Sequence, residues 1–99
     1  MITYEQARLT ALTHIKPYET QRKREFPEDS LVIEHSSEFE NGWFFYFNSR
    51  LFLETRQVAY RSLGLGPVLI GKKSGEVFQA GSGGNEDYWI AKFNEEYRK

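Results

Sequence analysis

The chain has no cysteine, three prolines and a single methionine in 99 residues. Small secreted domains often rely on disulfides, so the missing cysteine argues against that class and fits a reducing cytoplasm. It also removes thiolate ligands from any metal site. Charge of one sign is lacking as well: 13 Lys and Arg face 14 Asp and Glu, for a formal net charge of −1. Nucleic-acid binders usually carry a strongly basic face, so no nucleic-acid partner is expected. No apolar run approaches the roughly 20 residues needed to span a bilayer. The opening MITYEQARLT lacks the basic start and apolar centre of a signal peptide. A cytoplasmic protein without a membrane partner is the expectation.

What is present is aromatic. Hydrophobic residues make up 39% of the chain and aromatics 16%, enough for one small, ring-rich core. A single domain over 1–99 is expected. The densest run is ENGWFFYFNSRLFLET, residues 40–55, with Trp43, Phe44, Phe45, Tyr46 and Phe47 side by side. Successive strand residues point to opposite faces, so such a strand carries rings on both sides of a sheet. Something must cover the second face.

Residues 3–16 predict a helix. Thr3 and Gln6 have capping-box spacing, and Tyr4, Ala7, Ala11, Leu12 and Ile15 recur at helical intervals. Pro17 predicts its end. Residues 17–30 read as a charged connector, with Arg22-Lys23-Arg24 solvated rather than a nucleic-acid patch. Residues 31–39 predict a strand, Asn41-Gly42 a tight turn, and 43–49 the aromatic strand. Residues 50–65 are the hardest to read; Val58, Ala59, Tyr60 and Leu63 suit one or two helical turns. Residues 67–80 predict a second hairpin, turning at Lys72-Lys73-Ser74-Gly75, before a flexible joint at 81–84. Asn85 suits the N-cap of a last helix, 86–97, with Glu86 and Asp87 at its positive end. The fold class is α+β: an antiparallel sheet of about four strands in two hairpins, flanked by an N-terminal and a C-terminal helix. The two helices are expected on one face, leaving part of the aromatic strand on the other.

Chemistry-bearing patterns are weak. GPVLIGKK, residues 66–73, nearly matches a phosphate loop, but Lys73 replaces the metal-binding hydroxyl and no helix follows. It reads as a hairpin. His14 and His35 lack companions for a metal site or a nucleophile turn. Glu34 and Glu38 share a strand face by the period of two, and read as a solvated face that suits a basic partner surface. No enzyme activity, cofactor, metal or small-molecule substrate is expected.

Three stretches then stand in a telling order: Gly42-Trp43-Phe44-Phe45-Tyr46-Phe47, Phe52-Leu53-Glu54-Thr55, and Gly66-Pro67-Val68-Leu69-Ile70 with Lys73-Ser74-Gly75-Glu76-Val77. Together they resemble the YrhB-like domain, classed as immunity protein 35 among bacterial polymorphic toxin systems. Met1-Ile2-Thr3-Tyr4, Gly81-Ser82 and Glu86-Asp87-Tyr88 are similar too, and the resemblance covers most of the chain from Gly42 onward. The chain departs from the pattern in a longer 17–30 connector, in Arg56 where a glycine often follows Glu-Thr, and in Gly83-Gly84-Asn85 before the last helix. The resemblance implies a non-catalytic protein that binds one cognate toxin domain and blocks its active site. The alternative it leaves open is a chaperone-like, protein-binding role in stress protection. On the residues, Tyr46, Arg50, Glu54 and Arg56 are the expected partner contacts, with Glu38 and Glu40 as a charged rim.

Overall fold

A computed structural model describes residues 1–62 and 64–97. The first helix, α1 (Tyr4–Arg22), begins with the expected capping box. Thr3 Oγ1 accepts from the Gln6 N–H at 3.1 Å, and Gln6 Oε1 accepts from the Thr3 N–H at 2.9 Å. The helix does not stop at Pro17. It continues for more than a turn, so residues 17–22 belong to α1 and not to a connector. Proline there removes one backbone hydrogen bond, but tertiary contacts hold the extra turn. Glu19 Oε2 accepts from the Leu31 N–H at 2.9 Å, and Arg22 Nε donates to Asp29 Oδ2 at 2.7 Å.

Strands β1 (Leu31–Phe39) and β2 (Gly42–Ser49) form the first hairpin, and β3 (Val68–Gly71) and β4 (Val77–Gln79) the second. The sheet is antiparallel throughout, in the order β1-β2-β3-β4. The loop after β3 turns through Gly75 at φ 77°, where a side chain would be strained. GPVLIGKK is therefore strand and turn, as its apolar interior implied. Between the hairpins lie α2 (Arg50–Thr55) and a 3₁₀ turn, Val58–Tyr60. Leu63, expected to share a helical turn there, lies outside the described residues. The last helix, α3 (Glu86–Tyr97), starts as expected, with Asn85 Oδ1 accepting from the Tyr88 N–H at 2.9 Å.

The helices do not share a face of the sheet. α1 packs Ala7, Ala11 and Ile15 onto Trp43, Phe45, Phe47, Val68 and Ile70. α3 packs Phe93 onto Phe44, Leu69 and Ala80 on the other side, with Phe39, Phe78 and Trp89 around it. This overturns the one-face expectation, and the aromatic strand supplies the reason. Leaving Phe44 and its neighbours in water would forgo roughly 1.5–3 kcal/mol for each large apolar side chain. One helix on each face buries both sets of rings. Small alanines on α1 let the backbone approach the bulky side chains of β2.

A second correction concerns Glu34. The register shifts between Ile33, opposite Phe47, and His35, opposite Tyr46, so Glu34 has no opposite residue. This bulge breaks the period of two. Glu38 lies opposite Trp43 on the α1 side, whereas Glu34 accepts from Asn48 Nδ2 at 3.2 Å. The two carboxylates do not share a face.

Candidate functional site

The buried polar chemistry is structural. Asp29 is fully buried, yet its carboxylate takes four hydrogen bonds. Oδ2 accepts from Ser49 Oγ at 2.5 Å and from Arg22 Nε at 2.7 Å. Oδ1 accepts from the N–H groups of Ser30 at 2.8 Å and Leu51 at 3.0 Å. Burial alone pushes this carboxyl upward. The Ser49, Leu51, Arg22 and Ser30 donors outweigh it and hold the pKa at about 2. The cluster ties the end of α1, the loop before β1 and the start of α2 into one unit. Arg22 Nη2 also donates to the Tyr60 carbonyl, extending the tie to the 3₁₀ turn.

A second polar cluster fixes α3. Glu86 Oε2 accepts from Tyr46 Oη at 2.6 Å and from Ser37 Oγ at 2.8 Å. Burial, reinforced by the bond to Glu86, pushes the Tyr46 phenol far above its ordinary range. Among the described residues, every buried side-chain nitrogen and oxygen has a hydrogen-bond partner. No group of three or more His, Cys, Asp or Glu converges as a metal site would need, again among the described residues. A recess of about 460 Å³ beside Lys72 and Tyr97 is lined by side chains of both charge signs.

The six expected contact residues fall into three places. Arg50, Glu54 and Arg56 lie together at α2. Arg50 Nη1 donates to Glu54 Oε1 at 2.9 Å, while Nη2 donates to the Glu28 carbonyl at 2.7 Å. Arg56 caps α2 in the left-handed region, φ 59°, with its guanidinium 5.6 Å from the centre of the Phe52 ring. Glycine adopts this conformation without the strain a side chain brings. Glu38 and Glu40 lie at the opposite end of the first hairpin, where Lys72 Nζ donates to Glu38 and sits 5.4 Å from the centre of the Trp43 ring. Tyr46 lies between, half-buried, with its hydroxyl engaged by Glu86.

Sequence reasoning missed the Asp29 hub, the role of Glu86 and the exposure of Val58. Asp29 had a local sign, an acid after Pro27 and before a strand, but nothing local joins Arg22 to Ser49. Val58, 76% exposed, stands beside Arg56 as an apolar tip on the α2 end.

Comparison with known proteins places the chain, and not its individual contacts, beside a known family. The model of immunity protein 35 matches residues 16–98, which reaches upstream of Gly42 and includes the 17–30 segment. The uncharacterized protein YrhB of Escherichia coli (strain K12) is 42% identical over 52 residues. That match spans 52% of this chain and 55% of the relative, so the chain aligns with about half the relative's length. No solved structure matches the chain. Among the described residues, no helix is long and apolar enough to cross a membrane. Because the family model extends over most of its length, the chain belongs to the immunity protein 35 family.

Proposed function

We propose that this protein binds the toxin domain of a cognate polymorphic toxin in the cytoplasm and neutralises it by covering its active site. The observation that carries the reading is the immunity-family match over residues 16–98. The closure of both sheet faces supports this reading over a chaperone-like one. A promiscuous holdase needs a broad apolar surface, whereas the rings of Trp43, Phe44, Phe45 and Phe47 are buried beneath α1 and α3. Specific pairing through charges suits what remains outside. The contacts we propose are Arg50, Glu54 and Arg56 at α2 and Glu38 and Glu40 at the hairpin turn. Tyr46 has its hydroxyl committed to Glu86 and serves as a support for α3.

The test is co-expression with each candidate toxin domain encoded near this chain's gene. The expected result is rescue of growth and a stoichiometric complex on gel filtration, with nanomolar or tighter affinity. Weak suppression of aggregation for many unrelated clients, without rescue, would replace this reading with the chaperone-like one. Rescue that required turnover of the toxin would point to an enzyme instead.

A further inference from the structure

The sheet has an edge that the fold leaves open. β1 is its longest strand, nine residues, and among the described residues it pairs only with β2. The opposite edge, β4, is only three residues long. Every second residue of an edge strand turns its N–H and C=O away from the sheet, which makes a template for another strand. Natural edges are commonly blunted with lysine, proline or a bulge. β1 has no lysine and no proline. Its bulge disrupts pairing only between Ile33 and His35, leaving His35–Phe39 as a regular run in register with Gly42–Tyr46. Five residues is a usual length for a paired strand.

The charges select the occupant. Between Asp29 and Arg50 there is no Lys or Arg, and the acids are Glu34, Glu38 and Glu40. A second copy of this chain would bring the same carboxylates to the added ladder, with no Lys or Arg on its own β1 to meet them. Like charges facing each other across a strand pair are destabilising. An incoming basic strand meets the opposite situation, since the carboxylates flanking this edge on either face then attract it. We infer that His35–Phe39 of β1 accepts an extended, basic segment of the toxin by strand addition. This deepens the immunity reading and rests on it. It also gives Glu40, and Glu38 beyond its bond to Lys72, a specific task, to attract basic side chains of the added strand.

Hydrogen exchange and a peptide titration test the inference. In the complex with the neighbouring toxin domain, amides of His35–Phe39 that exchange quickly in the free protein should slow by about tenfold or more. A short capped peptide of alternating lysine and valine should shift the same amide resonances, and a glutamate–valine peptide should not. Glu34→Lys and Glu38→Lys should each weaken that preference; the two lie on opposite faces of β1 and are bonded to Asn48 and Lys72, so agreement between them does not depend on either bond. A toxin complex in which β1 amides exchange as in the free protein overturns the inference and leaves the immunity reading intact. If no complex forms, the peptide decides: basic-peptide shifts confined to His35–Phe39 support the edge, and their absence overturns it. A dimer protecting β1 would overturn the basic partner in favour of a second copy.

Discussion

Ser49 donates its hydroxyl to Asp29 at 2.5 Å, and both residues are withdrawn from solvent. The same Ser49 Oγ accepts from the Phe52 N–H at 3.0 Å, so it caps α2 while it neutralises a lone pair of Asp29. Removing the carboxylate strands the donors that converge on it. Asp29→Ala should cost roughly 3–5 kcal/mol, as loss of one partner in a buried pair does. Urea unfolding measures this. A loss below about 1 kcal/mol would show that water replaces the carboxylate at little cost.

The same group sets an acid limit. Its folded pKa is about 2, depressed from an ordinary value near 3.8. A depressed carboxylate contributes stability above its unfolded pKa and loses it as pH falls toward the folded one. The contribution should therefore be complete above about pH 5 and fade between pH 4 and about pH 2. At 1.36 kcal/mol per unit it amounts to about 2 kcal/mol. Unfolding free energies collected down that range should fall, and an Asp29→Asn protein should show a flatter curve there. Parallel curves for the two proteins would assign the acid sensitivity to other carboxylates.

Trp43 is 8% exposed and sits in the layer beneath α1, at 6.1 Å from the Tyr4 ring in an edge-on arrangement. Trp43→Ala should cost roughly 3–5 kcal/mol, the range for large aromatic truncations in cores. Thermal unfolding is the check, and an unchanged Tm would mean the ring contributes nothing to the core.

How far the sequence discloses this fold depends on whether the deciding contacts are local. Thr3 with Gln6, Asn41 with Gly42 and Asn85 with Tyr88 act over a few residues, and the elements they start are where the pattern puts them. The end of α1 depends on Arg22 meeting Asp29 and Glu19 meeting Leu31, contacts that no window around Pro17 contains. Alternation in Trp43–Phe47 shows that both sheet faces are apolar. It does not show which helix covers which face, because that follows from how the chain crosses the sheet. The Glu34 bulge is equally silent in the sequence, since one unpaired residue leaves no compositional trace. Glu38 and Glu40 stand apart from Arg50, Glu54 and Arg56 in sequence order already, but the bonds from Lys72 to Glu38 and from Arg50 to the Glu28 carbonyl join residues far apart in the chain.

Arg56 separates folding from binding. A non-glycine residue at φ 59° is strained by roughly 1–2 kcal/mol, partly offset by the extra unfolded-state freedom of glycine. Arg56→Gly should stabilise the protein by about 0.5–1 kcal/mol, a Tm rise of roughly 2–8 °C. If Arg56 contacts the toxin, the same substitution should weaken protection despite the more stable fold. Full protection at low expression would remove Arg56 from the proposed surface.

Tyr46 is the converse case, a residue whose visible bonds all serve the fold. Its hydroxyl reaches Glu86 at 2.6 Å and its ring stacks on His35 at 5.5 Å between centroids. Tyr46→Phe keeps the ring and deletes one hydrogen bond to a carboxylate, a loss of roughly 1.5–3 kcal/mol for a bond to a charged group. Glu86 retains the Ser37 hydroxyl at 2.8 Å, which holds the expected loss toward the lower end. α3 should then open more often at its first turn, seen as faster amide exchange near Glu86–Ile90. Toxin affinity measured well below the Tm should stay the same. Reduced affinity with an unchanged Tm and unchanged exchange would put Tyr46 back on the contact surface, because the hydroxyl would then matter to a partner and not to the helix it holds.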